Sequence, residues 1–335
     1  MFGRIRFRVV LALALVVGLP VLAAQDVRLR LGTLAPDNSP WTNALRSMSA
    51  TWMKDTSNRV RMNVFPVPSD SEAIARMAVD GLQAATLFVA GLGEIDPAFN
   101  VFGIPFFFES DAELEHVQKT LGPMLQQKLA ARKVRLLSWG NGGWVRLFSK
   151  KPLRTVADIQ AAKLYTTAGD AKTVAWYRNS GFNAVPLATS QIPAQLLNPI
   201  GLINAAPSPP VYATVSGMYK SAPYMLDLRL GPFTAATVIT ESAWRKIAPA
   251  DQTKMLAAAL VMQTQVNAAA PVLDAKYIDE MKKAGLNIVT LDAKGLVEFK
   301  SKAEELMRSQ RGVLVPADVF DAAVAARDAF RKAKR

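Results

Sequence analysis

The sequence predicts an α/β protein of two lobes, and three features carry that prediction. The chain has 335 residues, half of them apolar, which is enough for about two domains with cores of their own. Strand-like and helix-like segments alternate along the chain without repeats or a low-complexity linker. A helical pattern from about Pro249 to Ala284, interrupted only by Pro271, overhangs a single domain of ordinary size. We therefore expect one long helix to span both lobes.

The first half of the chain alternates strands and helices. Strands are predicted for VRLRLGTL, VRMNVFPV, AATLFVA and NVFGIPFFF, from alternating or continuous apolar character. Ser39 and Pro40 predict the start of a helix as N-cap and first helical residue. Ser69 and Glu72 predict a capping box for the next helix. A further helix, over about Asp111–Arg132, precedes the apolar stretch VRLLSWGNGGWVRLFS.

The second half continues the alternation through KLYTTAGD, AVPLA, GLINAAPSPP, MLDL and TAATVIT. KLYTTAGD predicts a short strand that runs into Gly-Asp and then a helix. This arrangement often places a side chain at the mouth of a ligand cleft. Tyr165 is the residue expected to face out of the strand.

The N-terminus has the pattern of a secretory signal. Three arginines precede an apolar run over Val9–Leu22, and small Ala23 and Ala24 follow. The run is shorter than the roughly 20 residues a bilayer span needs, and Gly18 and Pro20 interrupt it. We expect residues 1–24 to be removed on export to the periplasm, which leaves a mature start near Ala24 or Gln25.

Composition argues against several classes of function. The chain has no cysteine, which excludes thiol catalysis and cysteine metal sites. Its net charge is +13, but the basic residues are scattered among acids and form no stretch interleaved with aromatics. We expect a basic solvated surface and no nucleic-acid partner.

The sequence offers little support for catalysis. The one histidine, His116, lies among charged residues in the middle of a predicted helix, so no Ser-His-Asp site is expected around it. GLGEID lacks the third glycine of a dinucleotide fingerprint, and no phosphate-binding loop of the Walker type occurs. We predict no enzyme activity, no cofactor and no metal site.

Five motifs, in order along the chain, resemble those of the substrate-binding receptors of TRAP transporters, the DctP-like family. They are LRLGTLAPDNSPW, VDGLQAATL, VFGIPFFFESDAELEHV, NGGWVRLFSKKPLRTVADIQAAKLY and PIGLINAAPSPP. The resemblance covers about Val27 to Asp328. It implies a type II periplasmic-binding fold, in which two lobes close on a small-molecule ligand and the closed receptor docks on TRAP membrane permease subunits. A periplasmic accessory protein is left open.

The resemblance also implies where the lobes begin and end. Lobe I is expected over residues 25–142 plus 232–270, and lobe II over 143–231 plus 271–335. The chain would cross between them near Asn141–Trp144 and return near Gly231–Thr234.

The departures from the family motifs concern its carboxylate-binding residues. Members that bind acids commonly have arginine where this chain has Trp144 and Tyr165, and aspartate where it has Asn204. A polar Gln-Glu-Asn run is replaced by Ala206, Pro207 and Ser208. An arginine fork gives a carboxylate two charge-assisted hydrogen bonds that an aromatic ring cannot give. We therefore expect a neutral or apolar ligand.

Eight residues are the sequence-based candidates for ligand contacts: Trp144, Tyr165, Asp170, Asn204, Ser208, Tyr212, Leu92 and Trp176. The aromatic members would give a large apolar contact area with polar tips. Packing between the lobes is the alternative role for Trp144 and Tyr165, and helix capping is the alternative for Asp170.

Other ligand classes remain open. A carboxylate could be held by Lys163, which strand alternation turns to the same side as Tyr165; Arg146 and Lys172 are further basic candidates. An amine could be held by Asp170 together with the aromatic residues. A periplasmic enzyme on the same fold is the more distant alternative.

Overall fold

Two long strands shared by both lobes are the centre of the architecture. The computed structural model describes residues 26–37 and 39–334, so the predicted signal peptide lies outside the described residues. Within these residues the strands are β1 (Val27–Thr33), β2 (Val60–Pro66), β3 (Ala84–Phe88), β4 (Val134–Ser149), β5 (Leu164–Thr167), β6 (Ala184–Leu187), β7 (Ala205–Ser208), β8 (Tyr224–Thr240) and β9 (Asn287–Val289).

Helices cover the sheet and connect its strands. They are α1 (Pro40–Asp55), α2 (Asp70–Ala78), α3 (Val89–Ile95), α4 (Asp111–Ala131), α5 (Val156–Ala161), α6 (Ala171–Asn179), α7 (Ile192–Leu197), α8 (Pro210–Val215), α9 (Met218–Ser221), α10 (Glu241–Trp244), α11 (Pro249–Lys283), α12 (Ala293–Ser309) and α13 (Ala317–Ala333). Short 3-10 helices cover Pro97–Gly103 and Thr189–Gln191.

The strand order shows how the two lobes are joined. It is β2-β1-β3-β8-β4-β7-β5-β6, with β9 paired to β8. β4 and β8 are antiparallel from the pair Val134 and Thr240 to the pair Ser149 and Tyr224, with three register shifts, one of them between Asn141 and Trp144. One half of β8 pairs with β3 of lobe I, and the opposite half of β4 pairs with β7 of lobe II. Both strands therefore run from one lobe into the other; the residue boundaries of the lobes stay a prediction.

Helix α11 is the long helix that the sequence predicted. Its 35 residues extend about 52 Å and continue through Pro271. Met255 and Met262 are buried in the lobe I core, and Met281 is buried in the lobe II core. By length and composition α11 could also cross a bilayer, as the one such helix in the described part of the chain. Its two anchored ends instead make it a brace across both lobes.

One predicted strand is wrong. NVFGIPFFF forms the 3-10 helix Pro97–Gly103 and a following loop, with Asp96 capping the start by accepting from Ala98 N. The stretch is apolar because most of it is buried, with Phe102 and Phe107 fully buried. A proline and a glycine in such a run favour a compact turn over an extended ladder. MLDL and TAATVIT, expected as two segments, belong to the single strand β8.

The helix starts were predicted from their caps. Ser39 Oγ accepts a hydrogen bond from Thr42 N at 3.2 Å, and Ser69 Oγ accepts one from Glu72 N at 3.1 Å. The full capping box at α2 is wrong, because Glu72 pairs with Arg76 one turn later. Both helices begin where the cap residues predicted.

Candidate functional site

A cavity of about 900 Å³ lies between the lobes, and we call it the interlobe cavity. Its walls are residues of α1, the β3–α3 junction, β5, α6, α8 and α11. The crossing strands contribute Asn141, Gly142 and Val145 from β4 and Pro232, Phe233 and Thr234 from β8. A cavity of this size, between lobes and largely apolar, is typical of a small-molecule site.

Two tyrosines from lobe II form one hydrogen-bonded group in the cavity wall. Tyr165 OH lies 3.0 Å from Thr189 Oγ1, and Tyr212 OH donates to Thr189 O at 3.1 Å. Burial raises the pKa of the Tyr212 phenol, and Tyr165 raises it further. The Tyr212 phenol is therefore neutral, and the rings of both tyrosines present apolar surface to the cavity.

Asp170, Trp176 and Ser208 also line the cavity, each with a structural contact of its own. Asp170 Oδ1 accepts from Thr173 N at 3.0 Å and so caps α6. Trp176 Nε1 donates to Ser309 Oγ at 2.9 Å. Ser208 Oγ donates to Pro209 O at 3.1 Å. Their placement in the wall agrees with the sequence prediction, and their contact with ligand stays a prediction.

Three of the eight predicted residues do not line the cavity. The Trp144 ring is 2% exposed, packs in the lobe I core and lies under the Arg229 guanidinium at 5.2 Å. Leu92 is fully buried in the same core. Asn204 directly precedes β7, and there its backbone N–H donates to Lys163 O while its carbonyl accepts from Lys150 N. For a strand residue such as Trp144, alternation indicates which neighbours share its face, but not whether that face packs in the core or lines the cavity.

The basic residues considered as carboxylate partners lie elsewhere. Lys163 and Lys172 are exposed and outside the cavity wall. Arg146 is buried outside the wall, and burial lowers the pKa of its guanidinium. Among the described residues that line the interlobe cavity, none is a lysine, an arginine or a histidine. The wall therefore offers no positive side chain to a carboxylate.

Two cavity carboxylates were missed by the sequence reasoning. Asp70 is the first residue of α2, and its Oδ1 accepts from Phe88 N at 3.2 Å. Asp274 lies in α11, where its Oδ2 accepts from Trp144 N at 2.8 Å. Burial raises the pKa of Asp274 to about 6, against the lowering effects of the Trp144 N–H and of Arg146. Asp70 follows an N-cap serine, so its sequence context indicated only a helix start.

The match to a family model covers most of the chain. The model for DctP, the bacterial extracellular solute-binding protein family 7, matches residues 31–311. The chain belongs to this family. It is a periplasmic solute receptor of the TRAP type, and such receptors work with TRAP permease components.

Relatives of this receptor share its length and fold at low identity. The 2,3-diketo-L-gulonate-binding periplasmic protein YiaO of Escherichia coli is 23% identical over 285 residues, 82% of this chain and 84% of YiaO. DctP7 of Bordetella pertussis, described as binding pyroglutamic acid, superposes with a TM-score of 0.81 at 17% identity, over 90% of this chain and 99% of DctP7. A TRAP solute-binding protein of Xanthobacter autotrophicus with bound β-D-galacturonate has a TM-score of 0.80 at 19% identity, over 90% and 99% of the two chains. These likenesses confirm the two-lobed fold of the DctP-family receptor.

Proposed function

We propose that this receptor captures a small ligand with a largely apolar body and no net negative charge, and delivers it to a TRAP permease. The main support for this proposal is the charge of the side chains that line the interlobe cavity. Among the described residues in its wall, Asp70, Asp170 and Asp274 are acidic and none is basic. The neutral or apolar ligand predicted from the sequence belongs to this class, and so does the amine left open there.

The physical reason is the cost of burying an anion without a partner. A carboxylate moved out of water needs hydrogen bonds and a positive charge nearby, or its transfer costs several kcal/mol. The cavity wall would instead add the repulsion of its aspartates. DctP7 and the Xanthobacter protein are described with acids bound, but their low identity to this chain carries the fold alone. The ligand class is therefore argued from this cavity.

Calorimetry tests the class of ligand. Succinate, malate, fumarate, β-D-galacturonate and a sialic acid are titrated into the wild type and into Tyr165→Arg, which places a guanidinium in the wall. The wild type should bind none of them at sub-micromolar concentration, and the variant should gain measurable affinity for at least one, because an arginine supplies the missing fork. Sub-micromolar binding of an acid by the wild type would contradict the proposal. If Lys163→Ala abolished that binding and Tyr165→Ala did not, the alternative based on Lys163 would replace it.

Export and closure belong to the same proposal. Residues 1–24 are proposed as a cleaved signal, so N-terminal sequencing of periplasmic protein should begin near Ala24 or Gln25; intact residues 1–20 would contradict this. Lobe closure on ligand should reduce the radius of gyration in small-angle scattering. Identical profiles with and without a bound ligand would contradict closure.

A further inference from the structure

Asp70 holds a fixed carboxylate at the cavity wall of lobe I. Its Oδ1 accepts from Phe88 N at 3.2 Å. The carboxyl group packs against Gly91, where an added Cβ atom would lie 2.6 Å from Asp70 Cγ. These contacts fix the position of the side chain, and the N–H groups of Phe88 and Gly91 both act on its carboxyl group. The same residue lines the interlobe cavity.

The second carboxylate comes from the opposite lobe. Asp170 lines the cavity from the start of α6 in lobe II. The neighbouring residues approach each other, since a Cβ atom added to Gly169 would lie 4.0 Å from Ser71 Oγ. The segments that carry Asp70 and Asp170 therefore face each other across the cavity. Two carboxylates that are both ionised on opposite lobes oppose closure unless a positive group lies between them.

Aromatic rings and buried hydroxyls complete the surroundings. The rings of Phe88 and Phe233 lie 4.6 Å apart, and both residues line the cavity. Thr234 and Thr166 also line it; they are 2% and 5% exposed, and their hydroxyls have no hydrogen-bond partner. A ring face attracts a cation, and a free hydroxyl can accept a hydrogen bond from it. The ring face favours a positive charge. The hydroxyls can accept a hydrogen bond as well as donate one, so they fit a polar head without selecting its charge.

We infer that the polar head of the ligand is a protonated amine, bound between Asp70 and Asp170 and next to Phe88. The inference rests on the proposed function, because it assumes that the interlobe cavity binds a ligand without net negative charge. It makes Asp70 a specificity-determining residue. The ammonium group would link the two lobes electrostatically, so the charge that the ligand brings would also favour closure.

The ionisation of Asp70 supports this reading of the cavity. Burial raises the pKa of Asp70 to about 7, and Glu94 of α3 raises it too, while the N–H groups of Phe88 and Gly91 lower it. A carboxylate that is costly to ionise in the empty site becomes favourable beside a cation. Affinity for an amine should therefore rise with pH up to about 7 and level off above it, because at lower pH the ligand must displace a proton.

The test uses three probes on one body: 2-phenylethylamine, 2-phenylethanol and phenylacetate. Calorimetry at pH 8 should show binding of the amine, binding of the alcohol that is weaker by about tenfold, and none of phenylacetate. Asp70→Asn keeps the acceptor for Phe88 N and removes the charge. It should lower the affinity for the amine by about tenfold or more, change the affinity for the alcohol by less than about threefold, and abolish the pH dependence of amine binding. Asp170→Asn should also lower the affinity for the amine.

Glu94→Gln is the matched control. Glu94 is exposed and outside the cavity wall, so removing its charge should leave amine affinity at pH 8 within about threefold. Equal binding of amine and alcohol, unchanged in Asp70→Asn, would overturn the inference and leave the proposed function standing. Failure of the amine to bind at millimolar concentration would also overturn the inference. Tightest binding of phenylacetate would overturn both.

Discussion

Gly143 is the residue at the lobe crossing whose replacement is most informative. It has φ +96°, and a Cβ atom added to it would lie 2.1 Å from Asp274 Oδ1 and 2.6 Å from Asp274 Cγ. In Gly143→Ala the strained backbone costs about 1–2 kcal/mol. Displacing Asp274 also breaks its hydrogen bond from Trp144 N, which is 2.8 Å long and buried; a buried N–H left without a partner costs about 1–3 kcal/mol. We expect the free energy of unfolding to fall by about 2–5 kcal/mol.

Gly285→Ala is the control for the backbone contribution. Gly285 has φ +100° and nothing within 4 Å of an added Cβ atom, so this variant should lose only the first 1–2 kcal/mol or so. Urea unfolding of both variants, followed by far-ultraviolet circular dichroism, gives the difference. Losses that agree within about 0.5 kcal/mol would refute the argument that Asp274 and Trp144 depend on the absence of a side chain at Gly143.

Three further predictions follow from the placement of other residues. Tyr165→Ala should weaken ligand binding by about 1–3 kcal/mol through lost apolar contact. Trp144→Ala should instead lower the free energy of unfolding by about 3–5 kcal/mol. A larger loss of affinity in Trp144→Ala than in Tyr165→Ala, measured by calorimetry, would contradict the placement of the site. Arg59 hydrogen-bonds Asp251 and lowers the pKa of that carboxyl below its ordinary 3.8, so the stabilising effect of the pair is present at neutral pH and lost in acid. Asp251→Asn should therefore flatten the dependence of the free energy of unfolding on pH below about 4. An unchanged slope would contradict this prediction. The pKa of Asp70 is raised to about 7, so the native state binds more protons than the unfolded state between about pH 4 and 7 and loses stability as pH rises. Asp70→Asn should therefore raise the Tm of ligand-free protein more at pH 8 than at pH 5. The opposite order would refute the argument.

Periodicity predicted the elements whose two faces differ. β1 alternates buried and exposed residues over its first half, as its apolar and arginine residues indicate. α11 begins at Pro249 as predicted. It continues to Lys283 because Pro271 is accommodated inside the helix and no other stop signal interrupts the pattern. The strand predicted for NVFGIPFFF was wrong because the stretch is apolar almost throughout, and a continuous apolar run lacks the periodicity that distinguishes strand from helix.

The site was predictable only where the chain's local geometry points a residue outwards. Tyr165 lies in the short parallel strand β5, and Tyr212 lies on the helix after β7; both line the interlobe cavity. Trp144 directly follows one of the register shifts between β4 and β8, and a shift of register changes the face on which a side chain lies. Asp70 depends on contacts with Phe88 and Gly91, which are distant in sequence. No local pattern could have indicated its place in the cavity.

Native mass spectrometry of the mature receptor, purified from the periplasm without added ligand, tests the central claim most directly. The mass of the retained compound, followed by its identification after release, shows whether the ligand carries a carboxylate. We predict a compound with an apolar body and no net negative charge, released more readily from Tyr165→Ala than from the wild type. A stoichiometric carboxylic acid retained by the wild type would contradict the account.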